Sequence, residues 1–186
     1  MRWSASLARD VPVIVSNRLS DPIASNALGQ ALFPHLFPER QAPLNQAVYM
    51  FLDPRARTFY SDWETIARAT VSTIRLAAGH DPHDEALTRL VGRLATQSEE
   101  FRTWWAGHTV RLHLTGNKGI NHPIVGPIEL QDDVMELPAA PGMHVTSYLA
   151  APGTADADLL DLLRSWIAEP RPGATSVAAD APSDRS

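Results

Sequence analysis

The chain has no cysteine among its 186 residues. That absence removes a disulfide scaffold, a thiolate zinc site and a cysteine nucleophile together. No apolar run approaches the roughly 20 residues needed to span a bilayer, and Arg9 and Asp10 arrive too early for a signal-peptide apolar stretch. Positive charge is also short. Lys+Arg 16 against Asp+Glu 21 gives a net charge of −5, so the chain alone is not expected to hold duplex DNA, whose binding rests on clustered cations. Lysine is nearly missing: Lys118 is the only one, and every other cation is arginine. Arginine-rich, lysine-poor usage with abundant alanine fits a GC-rich bacterial coding sequence. Gly-x-Ser-x-Gly, Walker, Gly-x-Gly-x-x-Gly and His-Glu-x-x-His signatures are absent as well. These exclusions leave an expected cytoplasmic globular domain, large enough to bury a core.

What is present divides into three parts. Residues 1–10 read as a lead-in, residues 11–168 as one unit, and residues 169–186, poor in large aliphatics, as a disordered tail. Pro12–Val15 and Ile23–Ser25 suggest two short strands around a polar turn. Asn26 stands at a helix N-cap position before Ala27, Leu28, Ala31 and Leu32. Leu44 to Leu52 has helical spacing, and Asp53-Pro54 opens a short helix carrying Arg55 and Arg57. Ser61-Asp62-Trp63-Glu64 reads as a capping box for the longest helix. Asp81-Pro82 and Ser98 start two more. After Gly107 the apolar period falls to two: Val110–Leu114 predicts a strand, Thr115–Gly119 a turn, and Ile120–Leu130 and Met143–Ala150 further strands. Leu159 to Trp166 forms a closing helix. Segregated helices and strands define an α+β class, with about five antiparallel strands.

Candidate chemistry is sparse. The 7 histidines include His113 and His122, and His80 beside His83, but no carboxylate completes either pair at ligand spacing. No metal and no cofactor is expected. Gly116-Asn117-Lys118-Gly119 carries ordinary turn residues. The doublets Asp132-Asp133 and Glu99-Glu100 read as solvated. Aromatic residues concentrate in the helical block, and Arg55 and Arg57 lie between aromatic-rich segments.

Three ordered strings carry a resemblance. They are Asn45 through Phe51 to Asp53-Pro54 with Arg57; Ser98-x-x-Phe101-x-x-x-Trp105-x-x-His108-x-Val110; and His122-Pro123-x-Val125-Gly126-x-x-x-Leu130. Asn26-Ala27 before Ala31-Leu32 adds a fourth. Over about Val11 to Leu149 the chain resembles the ligand-binding domain of MmyB-like transcription regulators, bacterial relatives of the XRE regulators. Ser25 stands where that family usually has tryptophan, and Pro22 interrupts the same strand. The resemblance implies a PAS-like antiparallel sheet, covered by a helical block inserted between strands two and three. It also implies an apolar pocket for a fatty-acid-like ligand, and a DNA-binding helix-turn-helix N-terminal to the domain. Residues 1–10 are too short to hold that motif, so DNA would be reached only through a module absent from this chain.

The expected site lies between sheet and helices. Phe51, Trp63 and Trp105 would line the pocket, and Arg57, helped by Asn45, would hold an anionic head group. The expected function is therefore non-enzymatic ligand sensing, with no membrane partner and a possible homodimer. Two rivals stand beside it: a small-molecule α+β enzyme with His122 or His108 as base, and a dimerisation module with a filled core.

Overall fold

A computed structural model describes residues 10–38, 41–107 and 115–168. Its first hairpin is set by Asn17, whose side-chain oxygen accepts from the Leu19 and Asp21 amides at 2.9 Å each. That local ring turns the chain between β1 (Val13–Asn17) and β2 (Pro22–Ser25). Pro22 is tolerated because β2 is an edge strand. Asn26 then joins the hairpin to α1 (Ala27–Leu32): its oxygen caps the Gly29 amide at 2.7 Å and accepts from the Val13 amide at 3.1 Å.

Five more helices follow in chain order: α2 (Gln46–Leu52), α3 (Ala56–Phe59), α4 (Trp63–His80), α5 (Glu85–Gln97) and α6 (Glu99–Ala106). The cap at Ser98 stands as expected, and Asn45, expected at a ligand site, caps α2. Two others move. The cap of α4 is Asp62, not Ser61, because the Ser61 backbone is used elsewhere: its amide donates to the Gly119 carbonyl at 3.0 Å. The cap of α5 is Asp84, whose side chain accepts from the Ala86 and Leu87 amides and also pairs with Arg18. Asp81 instead closes α4.

The second half of the sheet is β3 (Thr115–His122), β4 (Gly126–Glu136) and β5 (Met143–Leu149), followed by α7 (Ala155–Ala168). The expected turn at Thr115–Gly119 is corrected: those residues form ladder pairs from Thr115↔Asp133 to Gly119↔Glu129. Pairing with β4 overrides local turn chemistry. The single expected strand Ile120–Leu130 is two strands, folded back through Pro123–Val125 and Gly126, which has φ +81°. The strand expected at Val110–Leu114 lies outside the described residues, as do the residues 169–186 read as a tail. All five strands form one antiparallel sheet in the order β2-β1-β5-β4-β3.

Two apolar clusters hold this arrangement. One joins the sheet to α1, α2, α3 and α7 through Ile14, Leu28, Phe33, Ile120, Leu130 and Leu163. The other lies among the helices, around Val48, Val71, Ile74, Leu94 and Phe101. His35 is held inside the first region, stacked on Tyr49 at 3.8 Å and edge-on to Phe59 at 4.4 Å. Neither of its ring nitrogens has a partner among the described residues. Burial accordingly pushes its pKa down to about 3.

Candidate ligand site between a helix and the sheet

Side chains two apart along a strand share a face, so the ladder places Gly116, Lys118 and Ile120 of β3 beside Asp132, Leu130 and Ile128 of β4, and Val134 and Glu136 continue that face along β4. From β5 the same face takes His144, Thr146 and Tyr148, paired with Glu136, Val134 and Asp132. At one end of these strands the face is core, with Ile120, Ile128 and Leu130 buried. Toward the other end it becomes polar. Exposure rises from Tyr148 at 3% to the exposed Glu136, so the Glu136–His144 pair is the outer end.

Opposite the polar end lies α4, contributing Ile66, Ala69, Thr73 and Leu76 at helical spacing. Between them is a cavity of about 230 Å³, bounded also by Ser20 and Gln46. The α4 wall is less polar than its sequence suggests. Thr70, Ser72 and Thr73 each donate their hydroxyl hydrogen to a carbonyl one turn back, at 3.0, 3.1 and 3.2 Å.

The charged groups come from the sheet. Lys118 Nζ lies 3.6 Å from Asp132 Oδ2, with side-chain exposures of 12% and 17%. The ammonium is also 5.0 Å from the centre of the Tyr148 ring. Burial pulls the Lys118 pKa down, while Asp132 pulls it back up. Burial raises the Tyr148 phenol and lowers His144, the latter opposed by Glu136.

The residues expected at the site are placed elsewhere; none of the five lines this cavity. Phe51, Trp63 and Trp105 do approach one another, but as members of a packed aromatic seam. The Phe51 ring is 6.2 Å from Trp63 and 5.0 Å from Phe101. Trp105 stacks on Phe101 at 5.6 Å, and Trp104 fills between Phe51 and Trp63. Three guanidiniums lie over this seam: Arg57 over Trp63, Arg68 over Trp104 and Arg75 over Trp105, at 3.9, 4.2 and 5.4 Å. Arg57 also pairs with Glu100. Asn45 uses its oxygen to cap Val48 and its amide to donate to the Leu19 carbonyl and Asp21, both at 2.7 Å.

His122 is fully engaged. Its Nδ1 accepts from the Ile124 and Val125 amides at 3.2 and 3.3 Å, which leaves Nε2 to donate to the Ala31 carbonyl at 2.8 Å. It fastens the β3–β4 turn to α1 and has no free nitrogen to act as a base. His108 lies outside the described residues. Lys118 is the residue that sequence reasoning missed. Its one signal was that it is the lone lysine in an arginine chain.

The profile of the MmyB-like transcription regulator ligand binding domain matches residues 6–163. The chain belongs to that family, and the match takes in every strand of the sheet and the cavity between it and α4. A search of curated proteins returns no match. Among the described residues no helix is long and apolar enough to cross a membrane.

Proposed function

We propose that this domain senses a small amphiphilic acid of the fatty-acid-like kind, held in the cavity between α4 and the sheet. The single observation that carries the reading is the cavity itself: about 230 Å³ of space with one lysine in its wall, in a chain that has no other. Ligand sites combine apolar walls with a few orienting polar groups. Here Ile66, Ala69, Leu76 and Val134 supply the first and Lys118 the second. The volume lies below the roughly 300 Å³ at which such sites usually begin, which favours a short acid over a long one.

The strand order and the run of helices between β2 and β3 support a PAS-like sensor. A ligand seated against α4 favours whichever helix position it contacts better, and that difference in affinity is the whole signal. A DNA-binding module of an XRE-like regulator would read it. The test is native mass spectrometry of the protein with short-chain and medium-chain acids, alongside Ala69→Phe, which fills the cavity from α4. Retention by the wild type and loss in Ala69→Phe is the expected result. Equal retention by both would place the ligand elsewhere.

A further inference from the structure

The charges around the cavity do not match those of a plain carboxylate. Lys118 is the one cation in the wall, and Asp132 already faces it, while Glu136 adds a second negative charge at the outer end. Burial lowers the pKa of His144, across the ladder from Glu136, and Glu136 opposes that shift. A simple fatty acid would bring a third carboxylate to a wall with one ammonium.

Hydrogen-bonding capacity points the same way. An ammonium offers three donors and a carboxylate two oxygens that only accept. At 3.6 Å the Lys118–Asp132 contact is too long for a good hydrogen bond, so both groups retain capacity toward whatever enters between them. The hydroxyls of Thr70, Ser72 and Thr73 on α4 have given their hydrogens to their own helix. Lys118 is therefore the charged donor the wall offers a ligand carboxylate, and Asp132 is the charged acceptor beside it.

We infer that the Lys118–Asp132 pair selects a short acid carrying a hydrogen-bond donor on the carbon next to its carboxylate, a 2-amino or 2-hydroxy acid with an apolar tail. The carboxylate takes Lys118 and the adjacent donor takes Asp132, so both members of that pair keep a partner when the ligand arrives. The ammonium of a 2-amino acid also offsets the excess negative charge, which orders it ahead of the hydroxy acid. This rests on the reading of the cavity as the sensing site.

The test is calorimetric titration of the full chain with octanoate, 2-hydroxyoctanoate and 2-aminooctanoate at matched pH and salt. Wild type is expected to bind 2-aminooctanoate at least tenfold more tightly than octanoate. Asp132→Asn, checked for folding by circular dichroism, should bring that ratio below threefold, and Lys118→Met should weaken all three acids. Octanoate binding as tightly as both substituted acids overturns the inference and leaves the sensing site standing. No binding of any of the three removes the sensing site, and the inference with it. The wild-type comparison decides the matter even where a variant fails to fold.

Discussion

The guanidinium of Arg57 lies 3.9 Å above the centre of the Trp63 ring, and its outer face is paired with Glu100. One side chain thus ties α3 to the first turn of α4 and to α6. The pair is half-exposed, so the ionic part contributes at most about 1 kcal/mol, and the ring contact about 0.5–1 kcal/mol.

Arg57→Ala should therefore lower stability by about 1 kcal/mol, a shift of roughly 2–4 °C in Tm for a chain of this size. Acid affinity should stay within twofold of wild type. A loss of acid affinity above tenfold at unchanged Tm would put the head group at Arg57 instead of Lys118.

Asn45 separates a cap from a tether. Asn45→Ala removes the α2 cap, costing about 1 kcal/mol, and also both bonds to the β1–β2 turn. A total loss of about 2–3 kcal/mol is expected in urea unfolding. Asn45→Asp keeps the acceptor for Val48 but sets an oxygen against the Leu19 carbonyl and Asp21. It should recover no more than the cap. Full recovery by aspartate would make the tether irrelevant.

Acid should destabilise the fold through His35. Its folded pKa is about 3 and its unfolded pKa about 6.5, so between those values the unfolded chain binds the extra proton. Stability from this group is complete above about pH 6.5 and falls as pH drops toward 3, by up to roughly 1.4 kcal/mol per pH unit. His122 and His144, also lowered by burial, act in the same direction. His35→Phe should flatten the slope and raise neutral-pH stability by about 1–2 kcal/mol, since it removes two buried nitrogens without partners. An unchanged slope in denaturant midpoints between pH 4 and 7 would exclude His35 as the source.

Gly119 is a contact glycine. A Cβ there would run into the Ser61 side chain, so Gly119→Ala should cost about 2 kcal/mol through overpacking. Removing the obstacle with Ser61→Gly in the same chain should restore most of it. If the double variant is as weak as the sum of the singles, the clash is not the cause.

Much of this architecture was legible in the sequence because the signals are local. Asn26 and Ser98 cap the helices they precede, and the spacing of Ile66, Ala67, Val71 and Ile74 carries α4. Where two caps competed, as with Ser61 and Asp62, the choice depended on a strand more than fifty residues away. The Gly116–Gly119 run reads as a turn in isolation and becomes a strand only because β4 lies beside it. Lys118 was hidden for the same reason: its burial follows from pairing that no local pattern contains. The aromatic seam was visible as residue types. That Phe101 and Trp104 fill the space between Phe51, Trp63 and Trp105 was not.

The sheet order has a consequence for how the molecule is made. β1 sits between β2 and β5, with Val13 opposite Ser147 and Asn17 opposite Met143. β1 therefore leaves the ribosome well before the strand that pairs its inner edge, and the six helices described between β2 and β3 emerge in the meantime. Closing so long a loop is slow, and until it closes the β1–β2 hairpin presents an open edge that another nascent chain can occupy.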